Sequence, residues 1–327
     1  MCEIATGNKN TQDKSDDGLY PFYVRSQTIE RIDSWTFDGE AILTAGDGVG
    51  VGKVFHYSLG KIGVHQRVYI LSNFKCDSKY LYHYFSSRFY GRVKRMSAKN
   101  SVDSVRMEMI ADMQIYLTSK EEQCKIGKLL TILDERIETQ KKIIEKYESL
   151  IKGLCQKLTL QGNPNASLNE ALVCHSSILQ ESSVQDAGAY PVYGAIGVCG
   201  YTDAPEVDGD SILIIKDGAS VGVTYYASGR YSAIGTLNRL VAKRGYSLRY
   251  LYYCLKIFNF APYRTGLAIP HIYFKDYGKA KVWCPPVEVQ KRIADSLLTV
   301  DRKIAIEESL LELLYSQKRF LLQTMFI

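Results

Sequence analysis

Apolar residues recur along the 327-residue chain with two different periods. Ile126, Leu130, Leu133, Ile137, Gln140, Ile144, Tyr147, Ile151, Leu154 and Leu158 step by four and three in alternation, the seam of a coiled-coil helix with Gln140 as its one polar member. Ile293, Leu297, Val300, Ile304, Glu307, Leu311, Leu314, Lys318 and Leu321 form a second such seam, in which Glu307 falls at the place of Gln140. A polar residue at one equivalent place in each seam fits a register-fixing contact. The alternative is two unrelated amphipathic helices, each packed on its own domain. The first helix opens on Ser119-Lys120-Glu121-Glu122, a capping box, and the second on Pro285-Pro286 followed by Glu288. Roughly 35 residues at about 1.5 Å each make helices about 50 Å long.

Ahead of each helix the runs are short and bounded by Gly and Asp, as in Ala41-Ile42-Leu43-Thr44 and Ile212-Leu213-Ile214-Ile215, which predicts strands. Leu81–Phe89 and Leu248–Phe258 read as one helix per domain. These elements repeat. Gly18-Leu19-Tyr20-Pro21 returns 170 positions later as Gly188-Ala189-Tyr190-Pro191, and Asp38-Gly39 through Leu43 returns as Asp208-Gly209 through Leu213. Asp47-Gly48 with Val51-Gly52, and Tyr80-Leu81-Tyr82, recur at the same offset. Four motifs at one offset identify a duplication. The predicted fold is α+β: two similar mixed α/β domains (1–117 and 161–284), each followed by a long helix (118–160 and 285–327), the two helices antiparallel in a pseudo-twofold repeat. Gln161-Gly162-Asn163-Pro164-Asn165 is the linker after the first helix. The lead-in Ser167–Ala171 of copy two has no counterpart ahead of Cys2-Glu3-Ile4-Ala5, which leaves the first strand of copy one open.

Composition narrows the chemistry. Lys and Arg outnumber Asp and Glu by 41 to 35, a mild excess that matters only if gathered on one face, and 24 tyrosines supply rings and hydroxyls to cores and ligands alike. The eight cysteines are scattered without C-x-x-C pairs, and the five histidines have no ligand spacing, so neither a metal nor a cofactor is expected. With no signal-like or membrane-spanning run, a cytoplasmic protein is expected.

Gly46-Asp47-Gly48-Val49-Gly50-Val51-Gly52-Lys53 imitates a nucleotide loop but fails on spacing: G-x-G-x-x-G fits no register, and a P-loop needs Gly at Asp47 and Ser or Thr at Val54. A tight turn that lets backbone approach a partner, or a plain structural turn, accounts for it equally well. No hydrolase, zinc-protease or methyl-transfer motif is present. The basic stretch Arg88, Arg92, Lys94, Arg95, Lys99 and Asn100, interleaved with aromatics, suits phosphate neutralisation and reach to base edges, with a solvated loop as the alternative. Tyr263, Arg264, Thr265 and His271 are its counterpart, and Lys53, Arg67, Lys216, Arg239 and Arg244 complete the candidate DNA contacts. Ile126, Leu133, Gln140, Ile144, Ile293, Val300, Glu307 and Leu314 are the candidate contacts between the helices.

The repeat of domain plus helix, together with the junction Pro285-Pro286-Val287-Glu288-Val289-Gln290-Lys291-Arg292-Ile293, resembles the specificity subunits of type I restriction-modification systems over nearly the whole chain. Copy one keeps the Glu122-Gln123-Cys124-Lys125-Ile126 core of that junction but not its prolines. The resemblance implies a non-catalytic subunit. Each domain would read half of a split duplex DNA target, the helices would act as spacer, and two methylation subunits and then restriction subunits would assemble on it. A coiled-coil scaffold binding protein or glycan, and the recognition half of a split methyltransferase-nuclease, are the competing functions.

Overall fold

A computed structural model describes residues 1–48, 50–96, 104–266 and 268–326. The chain forms two compact units, one of residues 1–141 with 310–327 and one of residues 142–309.

In the first unit, β1 (Glu3–Thr6), β2 (Tyr20–Tyr23), β3 (Glu30–Ile32), β4 (Phe37–Ala45), β5 (Phe55–Val64) and β6 (Val68–Ser72) make one sheet in the order β1-β6-β4-β5-β2-β3. Extended backbone suffices for β1 to pair with β6 from Glu3 opposite Ser72 to Thr6 opposite Tyr69, so copy one has its first strand despite the missing lead-in. β2 and β5 are parallel and the other pairs antiparallel. α1 (Ser78–Met96) covers one face, burying Leu81, Phe85, Phe89 and Val93 against Ile42, Val51, Phe55 and Leu71, and α2 (Met107–Ala111) closes that core with Met109 and Ile110.

The long helix α3 (Lys120–Thr159) begins where Ser119 Oγ accepts from the Glu122 amide, as the capping pattern predicts. It leads to β7 (Ala166–Ser167), α4 (Leu168–Ala171) and β8 (Leu172–Ser176), then β9 (Tyr190–Gly194), β10 (Gly197–Thr202), β11 (Val207–Asp208), β12 (Ser211–Ile215), β13 (Thr224–Ala227), β14 (Arg230–Ala233) and β15 (Leu237–Ala242). Sheet order β13-β12-β15-β8 reproduces β5-β4-β6-β1, and β10-β9-β14 reproduces β3-β2-β5, including the parallel pair β9–β14. The single strands β4 and β5 are each divided in copy two. The breaks fall at Gly209 (φ +130°) and Gly229 (φ +76°), matched in copy one by Gly39 (φ +144°) and Gly60 (φ +93°), where the strands bend but continue. α5 (Leu248–Lys256) takes the place of α1, followed by α6 (Phe274–Tyr277), β16 (Lys281–Val282) and α7 (Val287–Met325).

Within each unit the two long helices pack. In the first, Leu130 of early α3 lies with Phe326, just past the end of α7, and Leu133 and Ile137 lie with Leu314. In the second, Ile151 and Cys155 of late α3 share a core with Ile293, Leu297 and Ile304 of early α7. The helices therefore run antiparallel. Every apolar seam position named from the periodicity is buried or half-buried, and so are Gln140 and Glu307, with Lys303 Nζ 2.5 Å from the Glu307 carboxylate.

Candidate nucleic-acid interface

Both domains build the same junction from the glycine turn and the chain that follows the domain helix. In copy one the Val105 amide donates to the Gly46 carbonyl at 2.7 Å, and Asp47 bridges Ser104. In copy two the Ile272 amide donates to the Lys216 carbonyl at 2.9 Å, and Asp217 bridges His271. Val51 and Val221 are buried and anchor each turn in its core. Gly52 (φ +67°) and Gly222 (φ +94°) lie against Tyr90 and Phe260, so close that a Cβ would come within 3.2 Å and 2.8 Å of the rings. The turn is thus a packing device that fixes a backbone junction at one end of each sheet, and of the two readings of its glycines the structural one holds.

Cations gather at this junction in domain one. The Asp47 carboxylate lies 3.0 Å from Arg25 and 3.6 Å from Arg67, and Lys53 and Lys94 sit over the Tyr90 ring at 5.1 Å and 5.4 Å. Burial, with Arg25 and Arg67 nearby, lowers the pKa of His65 beside them and favours its neutral form. Arg25 escaped the sequence reading because the repeat places Ala195 opposite it, so no motif marked it. The α1 run, continuous in sequence, divides between faces. Lys94 belongs with the glycine turn. Arg88, Arg92 and Arg95 instead line a groove with Asp112, Gln114 and Tyr116. There Arg88 donates to the Phe326 carbonyl and Arg92 Nε to the Met109 carbonyl at 2.9 Å. Lys99 and Asn100 lie outside the described residues.

In domain two, Arg264 donates to the Val221 carbonyl at 3.0 Å and so braces the glycine turn. Thr265 and His271 exchange both backbone hydrogen bonds, at 2.9 Å and 2.8 Å, closing a small loop, and the His271 ring bonds Asp217 at 2.6 Å. Tyr263 stacks on Phe258. Lys216 is half-buried in the turn itself. Arg239 is mid-strand opposite Leu213, and Arg244 follows the far end of β15, so the sheet register sets Arg244 at the opposite end from this junction. Among the described residues no three His, Cys, Asp or Glu side chains converge to hold a metal, and no helix is long and apolar enough to cross a membrane.

A duplicated α/β domain, each copy closed by a long helix and presenting a braced turn with cations beside it, defines a class of two-site recognition proteins. Residues 1–149 and 173–315 match the family model of the type I restriction modification DNA specificity domain, and the chain belongs to that family. It is 26% identical over 159 residues to the type I restriction enzyme EcoDI specificity subunit of Escherichia coli, covering 48% of this chain and 34% of that one. The chain spans about a third to a half of the length of the curated relatives it matches. The crystal structure of a type I restriction-modification system S subunit from M. genitalium shares the fold, with a TM-score of 0.75 at 19% identity over 100% of this chain and 94% of that one. A chain solved in a study of complex assembly and conformational transition in the type I system superposes at 0.54, with 15% identity over 93% of this chain and 84% of that one.

Proposed function

We propose that this chain is the DNA sequence-specificity subunit of a type I restriction-modification system, reading a bipartite duplex target in the cytoplasm without catalysing a reaction itself. The observation that carries the reading is the repeated junction: each domain offers one braced turn and loop, so the chain has two reading surfaces of one design. In this reading residues 1–117 and 161–284 are the two readers, 118–160 and 285–327 are spacer helices, and two methylation subunits with restriction subunits supply the chemistry. Lys53, Lys94, Arg67 and Arg25 neutralise phosphates in one half-site, and Arg264, Lys216 and His271 do so in the other. Thr265 and the residues around Asn100 stand at the loops nearest the turns and meet base edges. Exchange of residues 1–117 for the equivalent domain of a relative, followed by sequencing of methylated DNA in a host that also carries the methylation subunit, tests this. One half of the methylated motif changes and the other stays. A change in both halves, or in neither, rejects the two-reader arrangement.

A further inference from the structure

The two copies differ sharply at one place outside the junction. Along α1 the guanidinium groups of Arg88, Arg92 and Arg95 face a groove of about 600 Å³ whose other wall is Asp112, Gln114 and Tyr116. The repeat puts Phe258 opposite Arg88, and Lys281 and Trp283 opposite Gln114 and Tyr116, and these line the corresponding groove of domain two. That groove is narrowed to about 180 Å³ because the chain leaving α3 runs along it through Thr159, Leu160, Gly162 and Pro164. Gly162 lies so near the Trp283 indole that a Cβ would stand 2.3 Å from its Nε1. The same stretch then ties to the groove wall through both side-chain atoms of Asn165, at 2.9 Å and 2.7 Å from the Cys284 carbonyl and amide, and through the β7–β16 pairing. Domain two is therefore an internal example of this groove occupied by extended chain.

In domain one the groove is open. No described strand pairs with Gln114 and Ile115, the equivalents of β16, and Tyr116 is 66% exposed. The charge has also changed. Phe258, Pro262 and Thr265 of copy two correspond to Arg88, Arg92 and Arg95, spaced so that all three fall on one helix face. Among the described residues none of the three is ion-paired with a carboxylate. Like charges at this spacing oppose one another on an isolated helix, so the arrangement is costly until an anion arrives. Arg88 already takes a carbonyl oxygen, that of Phe326, at the groove's end.

We infer that this groove receives an extended acidic segment of a protein partner, which adds a strand along Gln114–Ile115 and sets its carboxylates on Arg88, Arg92 and Arg95. An unpaired strand edge offers amide and carbonyl groups that a peptide backbone satisfies and a DNA duplex does not, and that decides between the two polyanions. The inference rests on the assembly proposed above, in which the partner is the methylation subunit.

The experiment reconstitutes the full chain with its methylation subunit and compares it with the Arg88→Gln, Arg92→Gln, Arg95→Gln triple variant, thermal melting checking the fold of each. A photo-crosslinking residue in place of Tyr116, in a chain that keeps all three arginines, reports what lies in the groove. The expected result is at least tenfold weaker assembly for the triple variant, and a crosslink to a segment of the methylation subunit rich in Asp and Glu. A parent chain that assembles while the triple variant assembles within twofold of it overturns the groove proposal alone, as does a crosslink to DNA, to a neutral segment or to nothing. A parent chain that does not bind the methylation subunit overturns the assembly reading as well.

Discussion

The two domains hold their backbones in the same way and their charges in different ways. The Gly46–Val105 bond has its twin in Lys216–Ile272, Val51 in Val221, and the Gly52–Tyr90 contact in Gly222–Phe260. Yet the turn aspartate meets two arginines in domain one and a histidine ring in domain two. The divergence reaches inward. His83 of α1 stands 3.8 Å from Asp134 of α3, while the equivalent pair is Tyr253 and Asp301, with Lys256 3.0 Å from that aspartate. Backbone bonds and buried valines specify the fold and tolerate no change of geometry, whereas groups at the junction's surface are free to vary with the ligand. A duplicated scaffold with unlike surfaces is what two readers of unlike half-sites require.

The most forceful way to break the comparison is at the helix seams. Leu130 and Leu297 occupy equivalent positions and are both 0% exposed. Leu130→Asp and Leu297→Asp each bury an unpaired carboxylate and are expected to cost about 4 kcal/mol or more. Hydrogen exchange should show the loss in residues 1–141 for the first and 142–309 for the second. If either variant loosens both units equally, the seams are not independent repeats.

A smaller effect separates the copies by pH. Burial pushes His83 down to about 4, and the attraction of Asp134 does not offset it. The neutral ring is bound by the fold while the unfolded chain takes a proton near pH 6.5, so stability is full above that pH and is lost as the pH falls toward 4. The loss is about 3 kcal/mol at most. Burial raises the Tyr253 phenol instead, which keeps it neutral throughout this range. Melting of the first unit should therefore be acid-sensitive, and His83→Tyr, which copies domain two, should flatten its slope between pH 7 and 5. An unchanged slope in that variant assigns the sensitivity elsewhere.

The duplication was legible in the sequence because its motifs lie at turns, where Gly and Asp are demanded by backbone geometry, and the seams because burial imposes a period. Arg25 was not, having no partner in the repeat. Nor was the division of the α1 cations: a linear run reads as one patch, but about 100° per residue turns Lys94 toward Tyr90 while Arg88, Arg92 and Arg95 face the groove. Arg239 and Arg244 were chosen for charge, and only strand register shows how far along the sheet Arg244 lies from the turn. The aromatic contacts behind Gly52 and Gly222 join residues 38 positions apart that no short motif spans.

The finest test concerns salt. Lys53 and Lys94 sit beside a single ring at the domain-one junction, with their side chains exposed, whereas Lys216 is half-buried and His271 is held by Asp217. A phosphate contact releases counterions, so its loss weakens all duplexes alike and lowers the dependence of affinity on salt by about one charge. Lys53→Ala and Lys94→Ala should each do so, at a cost of about 1 kcal/mol or less near physiological salt, without altering which sequences are preferred. Lys216→Ala should move the slope less, because its amine is less available to a passing phosphate. Titrations of one duplex at several salt concentrations give the slopes directly. Equal slopes for Lys94→Ala and Lys216→Ala would show that the two junctions meet the DNA backbone with equal charge, and that their difference lies in base reading alone.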